Sequence, residues 1–187
     1  MAKAREHHGD AVADVLALSR AERPNTGEFM TLWKVALGAA LTVALVAPAI
    51  AADIEGPMLN AHNALRAKHG VPALSWSASL AKTAQAWADR CVFEHSSTDL
   101  GENLAQGTGD YSGADAVNDW YGEISAYDFN NPGFSDATGH FTQVIWKSTR
   151  KVGCGVAQCS DGTLYVCNYE PAGNMEGAFP DNVPPAQ

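Results

Sequence analysis

The sequence predicts an α+β domain built in layers, and three observations carry that expectation. After residue 52, amphipathic helical stretches alternate with short strand-like runs in the order α, α, short β, α, β, β. The last third holds two apolar runs around Ser160-Asp161-Gly162, a β-hairpin signal. Four cysteines, all after residue 52, supply an even set of staples.

The first helix is expected over Pro57–His69. Met58, Ala61, Leu65 and Lys68 fall at helical spacing, and Gly70 and Pro72 stop it. His62, inside it, reads as a solvated or capping residue. The second helix starts after Trp76 with Ser77 as N-cap. Leu80, Ala81, Ala84, Trp87, Ala88 and Cys91 form its apolar stripe, which would carry Cys91 into the core. GENLA, Gly101–Ala105, reads as a strand or bend where a glycine permits close backbone approach. Gly107–Gly113 is a flexible connector.

A third helix runs from Ser112 or Gly113 to Ile124. Val117, Trp120, Tyr121 and Ile124 face inward and Glu123 lies on the flank. Asn131-Pro132-Gly133 marks the following stretch as an irregular loop. HFTQVIW, His140–Trp146, is too short for its period to separate helix from strand. The hairpin follows, then a turn at EPAGN and the proline-rich tail DNVPPAQ.

The organisation ahead of this domain reads as two segments. Met30–Ala51 has the form of a signal peptide, with Lys34, the apolar run Val35–Val46 and the small-residue site Ala49-Ile50-Ala51. That run is short of the ~20 residues a bilayer span needs, which disfavours a retained anchor. Residues 1–29 have no strong hydrophobic period, and read as disordered or as a misassigned start upstream of Met30. Residues 52–187 form a single domain with its tail.

Charge excludes some partners. Of twelve Lys/Arg and twenty-one Asp/Glu, five of each lie at or before Ala51, leaving seven against sixteen in the domain. Nothing there offsets phosphate repulsion, so nucleic acid is not expected. Electrostatic attachment to anionic lipid is disfavoured likewise.

Export and four cysteines imply two disulfides, with three pairings open. The hairpin register sets Cys154 opposite Cys167, and opposed Cβ atoms lie ~4.5–5.5 Å apart, near bridging distance. Cys159, five residues from Cys154, points to the other face and is left for Cys91. That long-range bridge would stabilise the fold by roughly 4 kcal/mol. The C-x2-C spacing of a zinc site is missing.

The domain carries four histidines: His62, His69, His95 and His140. His95 and His140 sit in loop-like or element-end positions that can aim a side chain into a cleft. Glu102 and Glu123 lie beside apolar segments, where an unpaired carboxylate is costly. Brought together, two His and two Glu can share protons or hold a divalent cation. No G-x-S-x-G, H-E-x-x-H, P-loop or G-x-G-x-x-G pattern occurs. Oxidised cysteines do not serve as nucleophiles.

GHFTQVIWKSTRKVGCGVAQC and YVCNYEPAGNMEG resemble the paired signatures of the CAP superfamily, which groups cysteine-rich secretory, antigen-five and plant pathogenesis-related type-one proteins. HNALRAKHGVPALSW, GENLA and AVNDWYGEISAYDFNNPGF match further stretches of the family, over about residues 54–185. The pattern is most similar to secreted yeast-type members that export sterols. The resemblance implies a three-layer α-β-α sandwich with a central cavity tetrad: His95, Glu102, Glu123 and His140. It implies His95 and His140 as ligands of a divalent cation, zinc or magnesium, with no other cofactor. The family usually has three disulfides, so one would be missing here.

The leading expectation is a secreted, monomeric module, extracellular or periplasmic, that binds a sterol or fatty acid. Tyr127, Phe129 and Phe134, between Glu123 and His140, would line its apolar groove, or merely close the edge of the core. Two other functions compete: a metal-dependent hydrolase or peptidase with a glutamate as general base, and a secreted defence protein contacting a host protein or membrane. No catalytic residue is assigned, and a binding role is favoured over an enzyme.

Overall fold

The computed structural model describes residues 54–187. The expected signal peptide and upstream segment lie outside the described residues. Helix α1 spans Glu55–Lys68, β1 Ser75–Trp76, α2 Ala78–Ala88, β2 Gly101–Gly107 and α3 Gly113–Gly122. A 3-10 turn covers Glu123–Ala126, followed by α4 Gly139–Ile145, β3 Lys151–Cys159, β4 Gly162–Glu170 and α5 Phe179–Asn182.

The sheet runs in the order β1-β3-β4-β2, with β1 parallel to β3 and the other pairs antiparallel. Alternation along the strands divides the core. Leu104, Leu164 and Val166 pack with Ala84 and Ala88 of α2 on one face. Ala105, Tyr165 and Cys167, one residue out of step, pack with α1, α3 and α4 on the other. The result is an α-β-α sandwich.

The glycines of KVGCGVAQC make the α2 contact possible. A Cβ at Gly153 would come within 2.2 Å of the Ala81 nitrogen, and one at Gly155 within 2.3 Å of the Gln85 Cα. Only a residue without a side chain lets the helix backbone settle this close. Ser77 caps α2 by accepting from the Leu80 amide, and Ser112 with Asp115 forms a capping box on α3. The hairpin register opposes Cys154 to Cys167, and a disulfide joins them; the second bridge joins Cys91 to Cys159.

Several expectations need correction. His62 is not solvated: it is fully buried, bonded through Nδ1 to the Met58 carbonyl and through Nε2 to the Tyr169 hydroxyl. The inward face of α1 is Met58, His62, Leu65 and Arg66, so Lys68 lies outside. The helix is rotated because these polar groups find buried partners. Cys91 does not ride the α2 stripe into the core. It lies beyond the helix end with φ 52°, and is exposed. The third helix tightens to 3-10 geometry at Glu123 and does not continue as α-helix to Ile124. The tail is more than a proline-rich end: Phe179 and Val183 are buried in the core, and the Gln187 amide bonds the Lys68 carbonyl.

Candidate functional site

HFTQVI, His140–Ile145, is helical within α4 and Trp146 is its C-cap, and the reason lies outside the segment. A helix of 7 residues is too short to stand alone in water. Its N-terminal amides at His140 and Phe141 donate to Glu123 Oε2 at 2.9 and 3.1 Å. The carbonyls of Val144, in its last turn, and of its C-cap Trp146 accept from the Arg66 guanidinium at 2.9 Å each. An anion at the N-terminus and a cation at the C-terminus both match the helix dipole. Arg66 is fully buried with no carboxylate partner among the described residues, and also donates to the Pro72 and Thr149 carbonyls. Burial lowers its pKa to about 10.

His140 Nδ1 meets Glu123 Oε1 at 2.6 Å. The His140 carbonyl accepts from Asn103 Nδ2, which also donates to the Tyr169 hydroxyl. Tyr169 reaches His62 in turn, so a buried polar chain runs from α1 to the His140 backbone. Burial pushes the His62 pKa down to about 4 and raises that of Tyr169.

The second pair forms between the segment before β2 and β2 itself. His95 Nδ1 lies 2.9 Å from Glu102 Oε1, which also accepts from the Ser96 amide at 2.8 Å. Glu102 Oε2 accepts from Ser96 Oγ at 2.5 Å and Asn168 Nδ2 at 3.3 Å. Trp87 Nε1 donates to the Glu94 carbonyl, tying this segment back to α2.

A cavity of about 310 Å³ lies between the pairs, lined by His95, Glu102, Asn103, Phe134, Asp136 and His140 among others. Glu123 stands behind His140. Because each carboxylate takes the Nδ1 position, the hydrogen-bond network assigns the proton there, leaving both Nε2 atoms as lone pairs when the rings are neutral. Neither Nε2 has a hydrogen-bond partner among the described residues. No three His, Cys, Asp or Glu side chains among the described residues stand close enough together to form a metal-ligand group as they are.

The three aromatic residues take different places. Tyr127 is buried and packs edge-on against Phe141 and Phe129. Phe129 is half-buried beside them, closing the core edge. Phe134 is 54 % exposed, lines the cavity and lies over Gly139, where a Cβ would sit 3.1 Å from its ring.

The sequence reading missed Asn103, Asp136 and Arg66 at this site. The spacing Met58, His62, Leu65, Arg66, His69 was the available signal for Arg66, since polar residues on an inward helical face need buried partners.

A disulfide-stapled α-β-α sandwich with paired histidines and glutamates at one cavity is the class these features define. The model of the CAP family, described as "Cysteine-rich secretory protein family", matches residues 59–169, and the chain belongs to that family. It is 47% identical over 140 residues to Protein PRY2 of Saccharomyces cerevisiae, covering 71% of this chain and 42% of that protein. The chain thus spans less than half the length of the yeast protein. It is 42% identical over 139 residues to the human Golgi-associated plant pathogenesis-related protein 1, covering 68% and 90% of the two chains. Among solved structures, NaASP2 with Zn2+ superposes with TM-score 0.58 and 29% identity, over 66% of this chain and 82% of that one.

Proposed function

We propose that the chain is an exported module that binds an amphipathic lipid, a sterol or fatty acid, at the cavity between His95 and His140. A divalent cation, zinc or magnesium, is held on the two imidazoles. One observation carries the reading: both histidines reach one cavity with Nε2 unpartnered, while both glutamates are used in holding Nδ1. Metal-binding histidines characteristically give their second ring N–H to a carboxylate, so the residues fit a cation. When bound, the ion supplies a fixed positive charge that attracts a ligand oxygen. NaASP2, a relative by structure, is described with Zn2+, which agrees with this donor set.

The cavity volume supports a head-group site. At about 310 Å³ it is at the lower end of the ~300–1,000 Å³ range of small-molecule pockets, so the apolar body of the ligand lies outward along Phe134. The occupied carboxylates weigh against a hydrolase. Both oxygens of Glu102 and of Glu123 accept from protein donors, so a glutamate serving as general base would compete with the hydrogen bonds that hold it. Two disulfides and a secretory-type leader support an extracellular or periplasmic setting.

Uptake of labelled sterol and labelled fatty acid by the purified secreted domain, with and without a chelator, tests the reading. Saturable binding that the chelator weakens is expected. No saturable uptake of either lipid removes the lipid function, and uptake indifferent to chelation removes the cation.

A further inference from the structure

We infer that Asp136 is the anionic ligand of the cation site, completing a His95, Asp136, His140 donor set while Glu102 and Glu123 stay outside it. The inference rests on the cation half of the function proposed above. Three carboxylates stand at or behind the cavity, and they differ in what they would give up. Glu102 accepts four hydrogen bonds, one from the Ser96 amide. Glu123 accepts three, two from the first amides of α4. Turning either toward an ion would strand those donors, at about 1–3 kcal/mol for each buried one. For Glu123 it would also remove the anion that closes α4, the helix on which His140 sits.

Asp136 gives up nothing. It lines the same cavity as both histidines, is exposed, and accepts no hydrogen bond from the described residues. Its backbone is already set. The Thr138 amide donates to the Ser135 carbonyl at 3.0 Å and the Ala137 amide to Ser135 Oγ at 3.2 Å, holding a turn with Asp136 at its apex. Asp136 is exposed and the His95 side chain is 65% exposed, so neither is locked in its present position by packing. The cluster is not assembled beforehand; the ion assembles it. Two neutral imidazoles alone leave the full charge of a divalent ion uncompensated, and one carboxylate beside them is a donor set zinc accepts with water in an open position. The glutamates then act as positioning residues, orienting each imidazole through Nδ1.

Calorimetric titration of the intact, disulfide-bonded chain with Zn2+, in the absence of lipid, is the test. Wild type is expected to bind stoichiometrically and His140→Ala to lose binding. Asp136→Asn should weaken binding at least about tenfold, the lower end of what even an outer-shell partner costs, with Asp136→Glu restoring most of it. The melting temperature of Asp136→Asn should match wild type, since the side chain bonds nothing among the described residues. Zinc binding by Asp136→Asn indistinguishable from wild type, with His140→Ala still deficient, overturns the role of Asp136 and leaves the histidine pair standing. No zinc binding by wild type overturns both.

Discussion

The two His–Glu pairs at the cavity share one chemistry and are held in opposite ways. On the His140 side, both partners are fixed. Glu123 grips the imidazole and two main-chain amides, Asn103 fastens the carbonyl, and Arg66 closes the far end of the same helix. On the His95 side only the carboxylate is fixed. The Glu102 side chain is 6% exposed on β2, whereas that of His95 is 65% exposed on a segment without regular structure. One half is scaffold and the other is a tethered loop. A ligand entering the cavity therefore meets one imidazole already in place and one that can adjust to it.

Breaking the rigid half should cost most. Arg66→Met takes a donor from four carbonyls, two of them at the C-terminal end of α4, where Trp146 keeps only the Thr149 amide. At about 1–3 kcal/mol per stranded buried group, a loss on the order of 5 kcal/mol is expected in chemical denaturation. Amide exchange should accelerate first in α4, ahead of β2. Uniform exchange across both would contradict the idea that α4 is held from its ends.

The loop half has its own staple. Cys91 and Cys159 are 68 residues apart, and replacing both with Ala should cost about 4 kcal/mol on the chain-entropy model. In NMR the His95 ring should then lose its contact with Glu102 while His140 keeps its contact with Glu123. Equal disturbance of both rings would erase the distinction between the halves.

Acid offers a milder probe of the rigid side. His62 titrates near 6.5 in an unfolded chain and at about 4 in the folded one, because burial opposes its charged form and the Arg66 charge adds to that. The unfolded state thus takes up a proton first as pH falls. Stability is full above about pH 6.5, declines on acidification, and levels off below about pH 4, with a total loss of about 3 kcal/mol from this residue. His69, lowered by burial too, adds a contribution of the same sign. A His62→Gln variant should show a shallower decline between those limits in denaturant titrations run at several pH values. An unchanged slope would remove His62 as the cause.

How much of this could be read from the chain depends on how far apart the partners lie. The hairpin was legible because Ser160, Asp161 and Gly162 set its register locally, and the register alone opposes Cys154 to Cys167. Ser77 announced its helix because a cap bonds an amide three residues on. Helix α4 was not legible, because Glu123 is 17 residues from His140 and Arg66 is 78 from Val144. The inward face of α1 misled for a related reason: His62 and Arg66 break the apolar period, and only distant carbonyls and the Tyr169 hydroxyl make their burial tolerable.

The sequence by itself determined the layered class, the helix starts, the hairpin and its cross-strand cysteine pair, all through interactions spanning a few residues. Tertiary structure decided which carboxylate oxygens are occupied and which are free. That difference separates Glu102 and Glu123 from Asp136, and no local pattern encodes it, because the donors that occupy the glutamates come from other elements.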